Sequence, residues 1–345
     1  MKKIAFIASI FALLTLFIAC NSDSEKKNSE QAANNGKKIS VVATIYPQYA
    51  WLKEILGNQA DSLNLTLLVK NGMDLHSYKP SAADIATIAK ADMIVYVGGE
   101  SDKWIEKALE ATPNEKRVQV NLLEALGDRV KAEEIVEGMQ AEEEHEHHHE
   151  HAEEHEHLEY EAHAEEVEND EHIWLSLKNA ELLVMNLADA LSKADTTHAT
   201  EYHMNAALYI AKISALDAQY RAATDSAHFK TILFGDRFPF RYLVDDYGIK
   251  YFAAFVGCSA ESEASFETVA FLAGKMDSLA LPAIFTIDGS NGKIARAILD
   301  ASKKSKETPV LTLNSMQSIK NSQMDSANYL DIMRENLEVI KKALK

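Results

Sequence analysis

The sequence predicts an α/β protein of two lobes, each a four-stranded parallel sheet flanked by helices, joined by one long interlobe helix. Three observations carry that expectation. Short apolar or β-branched runs alternate with helical patterns, and such alternation implies parallel sheets covered by helices on both faces. The alternation comes in two series, separated by a stretch over residues 177–223 that lacks Pro and Gly and repeats its apolar residues at helical spacing. A length of 345 residues with 47% hydrophobic residues also suffices for two cores of ordinary size.

The chain opens Met1-Lys2-Lys3 and continues with an apolar run over residues 4–19, the charged start and apolar middle of an export signal. That run is shorter than the ~20 residues a membrane-spanning helix needs. It ends Phe17-Ile18-Ala19-Cys20, which resembles a bacterial lipoprotein cleavage site. Residues 1–19 are therefore expected to be a signal peptide, and Cys20 the lipidated first residue of an exported, membrane-anchored protein facing periplasm or cell exterior. A plain signal peptide or an uncleaved anchor is the alternative. Residues 20–38 are polar without hydrophobic period, as in a disordered tether. With Cys20 lipidated, Cys258 has no intramolecular partner, so no disulfide is expected. Export argues against an ATP- or NAD-dependent enzyme, and the chain carries no phosphate-binding glycine loop.

The N-terminal lobe is expected over residues 39–140, with strands at 39–46, 63–69, 93–97 and 118–121. Helices fall between them at 49–56 and 81–90, the second opened by a capping-box pattern, Ser81 before Asp84. Residues 172–225 should hold the end of this lobe and the linking helix. A helix over 177–223 would span roughly 60–70 Å, with Asp195-Thr196-Thr197 the place where it could break. The C-terminal lobe, residues 226–345, reads as strands at 231–234, 251–256, 284–287 and 310–313. Its helices are expected near 242–247, 265–279, 293–303 and 326–344.

The formal charge is −18, and it is concentrated. Residues 141–171 carry fourteen Glu, one Asp and eight His with no Lys or Arg, a charge of −15 that leaves only −3 for the rest of the chain. A nucleic-acid partner is excluded, because phosphate binding needs a basic surface. The insert's histidines, His145, His147, His148, His149, His151, His155, His157 and His163, stand among glutamates at spacings that form several weak, exchangeable metal sites. Its acids would concentrate divalent cations nearby. A solvated acidic loop is the plainer alternative, and self-repulsion makes the insert a disordered segment by composition.

Ligands in open α/β sheets bind beyond the carboxyl ends of the strands. Ligand-type residues follow the second strand (Asp74-Leu75-His76), precede the long helix (Asp170-Glu171-His172) and follow the fifth, sixth and seventh strands (Asp236, Cys258 to Glu261, Asp288). Two histidines with carboxylates suit zinc, manganese or iron, whereas oxygen-only sites suit calcium or magnesium.

The order His76-x-Tyr78-x-Pro80, Lys90-Ala91-Asp92, Trp104-Ile105-Glu106-Lys107, a His/Glu-rich insert, His172-x-Trp174-Leu175 and a terminal segment from Tyr329 to Asn336 resembles the zinc and manganese solute-binding proteins of bacterial ABC importers. The resemblance runs over about residues 39–344. It implies two α/β lobes holding one metal ion between them, with His76 and His172 as its first two ligands. The family's third histidine, after the fifth strand, is absent. Asp236 stands at that strand end as its substitute, with Cys258 as a second candidate because thiolate is a strong zinc ligand. The family's last ligand is an acid of the second lobe, for which Asp288 holds one place and Asn314 the other. Asp74 and Glu261 are candidates for orienting the ligands. The resemblance also implies Zn²⁺ as cargo (Mn²⁺ possible), a membrane permease with its cytoplasmic ATPase as partner, a monomeric chain and no catalysis. Because imidazoles must be neutral to bind metal, affinity should fall as pH drops through ~6.5. A manganese or iron carrier, a secreted metal buffer or adhesin, and a metallohydrolase are the competing readings. The hydrolase lacks a general base beside its ligands, since Glu143-Glu144-His145 lies in low-complexity sequence.

Overall fold

The computed structural model describes residues 38–140, 168–259, 263–324 and 326–345. Cys20, the insert histidines and Glu261 lie outside these. The first sheet contains β1 (Ile39–Ala43), β2 (Leu63–Leu67), β3 (Met93–Tyr96) and β4 (Val118–Asn121) in the order β2-β1-β3-β4. The second contains β5 (Thr231–Phe238), β6 (Lys250–Val256), β7 (Ile284–Ile287) and β8 (Val310–Leu313) in the order β6-β5-β7-β8. Every pairing is parallel, with Val41 opposite both Leu65 and Met93, and Phe285 opposite Leu311. The central strands β3 and β7 are buried along their whole length, as the uninterrupted runs MIVY and IFTI require of strands covered on both faces. Because the strand order reverses between β1 and β3, and again between β5 and β7, each sheet opens a crevice at its carboxyl edge.

In the first lobe, α1 (Tyr46–Leu56), α2 (Ala82–Lys90), α3 (Lys103–Ala111) and α4 (Leu122–Leu126) connect the strands. The capping box of α2 forms as expected, the Ser81 side chain accepting from Asp84 N while Asp84 accepts from Ser81 N. One sheet face packs Val42 and Ile94 against Ile88 and Ile105 of α2 and α3. The other joins a larger core that runs through both lobes and includes Trp51, Trp174, Tyr220, Phe234, Phe285 and Tyr329.

The stretch over residues 177–223 does not stay one helix; it breaks between Ala194 and Ala199, at the Asp195-Thr196-Thr197 segment where the sequence allowed an interruption. It forms α5 (Leu177–Ala194) and α6 (Ala199–Asp225), which pack along each other as a helical hairpin. The break is local chemistry. The Asp195 carboxylate accepts from Thr197 N (3.1 Å), His198 Nδ1 (2.7 Å) and Tyr202 OH (2.7 Å), closing a turn that competes with the helical ladder. The helix that leads into the second sheet is α6 alone, about 40 Å long. The second lobe is completed by α7 (Arg241–Tyr247), α8 (Phe266–Leu279), α9 (Lys293–Ala301) and α10 (Tyr329–Ala343). Among the described residues no helix is long and apolar enough to cross a membrane.

Hydrogen bonds, two of them buried, tie the lobes together near their crevices. Trp174 Nε1 donates to Ser315 O (2.8 Å), Tyr329 OH to Trp174 O (2.8 Å), and Gly72 N to Ile319 O (2.7 Å).

Candidate metal centre

His76 sits in a single 3₁₀ turn, Leu75–Ser77, a few residues after β2. Asp74 holds the turn by accepting from His76 N at 3.0 Å, and buried Leu75 anchors it in the core. The ring's Nδ1 lies 2.7 Å from Ser101 Oγ, just beyond β3. His172 precedes a second 3₁₀ turn, Ile173–Leu175, and is fully buried. Asp170 Oδ1 accepts from both His172 N (2.8 Å) and His172 Nδ1 (3.0 Å), which orients the ring. Asp170 is itself fixed, because its N–H donates to Lys131 O and its carbonyl accepts from Tyr242 OH. Gly257 lies flat against the same ring. A Cβ there would stand 2.9 Å from His172 Cε1, so the close approach requires glycine.

These supports bring His76 Nε2 and His172 Nε2 to 3.2 Å. Donors held at ~2.0–2.1 Å by a tetrahedral zinc ion lie about 3.3 Å apart, so the two nitrogens already span one edge of such a tetrahedron. The Cys258 sulfur completes a three-residue group whose ligand atoms all fall within 4.8 Å of one another. Cys258 follows β6, and its N–H donates to Glu133 Oε1 at 3.1 Å. Burial first, then the neighbouring Glu133 carboxylate, push the thiol's pKa far up, so it keeps its proton until a cation displaces it. His76 behaves in the opposite way. Burial and the adjacent His172 lower its pKa to about 3, leaving a neutral ligand at any ordinary pH. The expected loss of affinity through pH ~6.5 is therefore corrected for His76, whose proton competes only at much lower pH.

Asp236 and Asp288, expected to complete the ligand set, stand outside this group. With Asp74 and Arg237 they line a separate cavity of ≈ 330 Å³ beside it. Asp236 Oδ1 accepts from Arg237 N, while its buried Oδ2 has no partner among the described residues. Asp288 spends Oδ1 on Ser315 N (2.6 Å) and Ser315 Oγ (2.8 Å), and burial raises its pKa. The Arg237 guanidinium pairs across the lobes with Asp74, the third acid of this cavity. Asp74 is thus a turn cap and an ion-pair partner. Asn314 serves the backbone, accepting from Met316 N and taking a hydrogen bond from Asn336 Nδ2 at its carbonyl.

Three contributors escape a reading of strand ends. Ser101 faces His76, and its N–H donates to Glu171 Oε1 at 2.9 Å. Asp170 was visible beside His172, but nothing in the sequence separates it from the acids of the insert. Gln317, 3% exposed in the turn after β8, places Nε2 at 2.9 Å from His76 Nε2 and 2.6 Å from His172 Nε2. A glutamine in a polar turn carries no sequence signal of such a role.

The family model described as "Zinc-uptake complex component A periplasmic" matches residues 41–343. The high-affinity zinc uptake system protein ZnuA of Bacillus subtilis (strain 168) is 30% identical over 344 residues, covering 99% of this chain and 98% of that protein. The zinc-binding lipoprotein AdcA of Streptococcus pneumoniae is 30% identical over 345 residues, 99% of this chain but 61% of its own length. The chain thus spans about three fifths of the AdcA proteins it matches. Among solved structures, the Zn(II)-bound ZnuA-like domain of S. pneumoniae AdcA is similar with TM-score 0.65 at 26% identity, over 89% of this chain and 99% of that one.

Proposed function

Since the chain belongs to the periplasmic zinc-uptake complex component A family, we propose that it is an exported solute-binding protein that captures one Zn²⁺ between its lobes and hands it to the permease of an ABC importer. The observation that carries this reading is the 3.2 Å separation of the His76 and His172 Nε2 atoms, with a thiol in reach. We assign His76, His172 and Cys258 as ligands in place of the expected Asp236 and Asp288. Two imidazoles and a thiolate form a softer donor set than one rich in carboxylates, which favours zinc over manganese.

The remaining parts of the reading fit a capture role. Residues 1–19 act as the signal, Cys20 as the lipid attachment, residues 20–38 as a tether, and the insert over residues 141–171 as a collector of metal. The lobes comprise residues 39–140 and 226–345, with residues 172–225 between them. The interlobe bonds from Trp174, Tyr329 and Gly72 favour modest movement on binding and leave release to distortion by the permease. A competition titration of the purified chain against a chromophoric chelator tests the proposal. One tight zinc site is expected, abolished in the double variant His76→Ala/His172→Ala and weaker for manganese by at least a hundredfold. A tight site that survives the double substitution overturns it.

A further inference from the structure

Gln317 touches both histidines through its nitrogen, and that orientation is dictated by the network. Asp170 can only accept, so His172 carries its proton on Nδ1 and presents a lone pair at Nε2. The atom 2.6 Å from that lone pair must be a donor, which places the amide nitrogen of Gln317, and not its oxygen, against the ring. The same nitrogen lies 2.9 Å from His76 Nε2, so His76 also presents a lone pair there and carries its proton on Nδ1 toward Ser101. The two N–H bonds of one amide thus satisfy two lone pairs that face each other at 3.2 Å.

Two further facts make this more than packing. The nitrogen is closer to both rings than the ~3.3 Å edge of a tetrahedral zinc site, so it intrudes on the space an ion needs and must withdraw by several tenths of an ångström. The amide oxygen is buried and has no hydrogen-bond partner among the described residues. A buried carbonyl without a donor is a standing cost that a cation would remove.

We infer that Gln317 is the positioning group of the metal site, its N–H pair standing in for the cargo ion when none is bound and its carboxamide turning over so that Oε1 becomes a donor when zinc enters. The inference rests on the zinc-capture reading and adds how the site is kept closed. The plug competes with the ion, so the measured affinity is the intrinsic one reduced by the fraction of unplugged chains. Because the amide oxygen is neutral, the thiolate is the only anionic donor, and the bound ion retains positive charge that eases its release.

The test uses the full chain with nitrogen-15 in its glutamine and histidine side chains. In the metal-free form the Gln317 amide, identified by its disappearance in Gln317→Glu, should show through-hydrogen-bond nitrogen–nitrogen coupling to both histidine Nε2 atoms. One equivalent of zinc should abolish that coupling. Gln317→Glu keeps an oxygen and loses the plug, so zinc should bind at least tenfold tighter while the metal-free form melts at lower temperature. Gln317→Leu loses both and should bind at least tenfold weaker. Coupling that persists in the zinc-loaded chain, or a Gln317→Glu variant destabilised equally with and without zinc, overturns the inference. A chain that binds no zinc also overturns the turning step. That result is told apart as a failure of the capture reading if the metal-free coupling is still present.

Discussion

Replacing Cys258 with alanine separates the ligand set assigned above from the carboxylate set that the chain order suggests. The substitution removes the sulfur and leaves the backbone N–H of residue 258 free to keep its bond to Glu133. A four-donor structural zinc site contributes roughly 10–16 kcal/mol, so one donor is worth about 3 kcal/mol, or two powers of ten in affinity. The thiol supplies a second signature. Its pKa is held high by burial and by Glu133, whereas His76 is already neutral, so of these two ligands sulfur is the one that releases a proton when zinc binds. Proton release means that binding strengthens as pH rises, about tenfold per unit. The parent chain should show that slope between about pH 6 and 8, and Cys258→Ala should be nearly flat. Chelator competition across this range measures both quantities, and cobalt substitution adds a sulfur-to-metal charge-transfer band that the variant lacks. If Cys258→Ala binds within threefold of the parent at neutral pH and the parent shows no slope, the third donor is not sulfur and Asp236 becomes the alternative.

Three other outcomes follow from the same geometry. Gly257→Ala would push its Cβ to 2.9 Å from His172 Cε1 and 3.0 Å from Nδ1, so the ring must move off its Asp170 partner; zinc affinity should drop about tenfold with little change in melting temperature, and an unchanged affinity refutes the contact. Asp170→Asn weakens the acceptor that fixes the His172 ring and should cost 10–100-fold in zinc affinity, read by the same titration; a loss below threefold removes Asp170 from the site. For His76 the folded pKa of about 3 lies below the unfolded 6.5, so the unfolded chain binds the extra proton as pH falls from 6.5 toward 3. Metal-free stability should therefore decline across that window, by roughly 3 kcal/mol at about pH 4. Comparing urea melts of the parent with His76→Gln isolates this effect from Asp102, whose buried carboxyl, raised to about 7, acts with opposite sign in the same range. Parallel acid limbs for the two proteins would contradict it.

Features set by neighbours along the chain were legible without coordinates. The apolar runs of β3 and β7 could only be strands covered on both sides, and Ser81 three residues before Asp84 could only open a helix. Asp195 marked the place where the helix breaks, although its three acceptor bonds had to be seen to explain why. His76 and His172 stood out because each lies where an α/β crevice opens, within words that the family shares.

The third and fourth partners were not legible, and the reason is physical. Asp236 lies near the carboxyl end of β5 while Cys258, Asp288, Asn314 and Gln317 follow strands of the second sheet, and chain position ranks them alike. What separates them is which atoms the folded neighbourhood has already committed. Ser315 occupies Asp288, Arg237 diverts Asp74, the Asn314 side chain closes its own turn, and Asp236 lines the neighbouring cavity outside the three-residue group. Cys258 and Gln317 are left facing the two imidazoles. The sequence by itself determined the lobes, the acidic insert and two histidines, because periodicity, composition and strand ends are properties of short stretches. Only the tertiary structure decided the rest of the site, because a ligand set is a matter of angstrom-scale convergence among residues as far apart as His76 and Gln317.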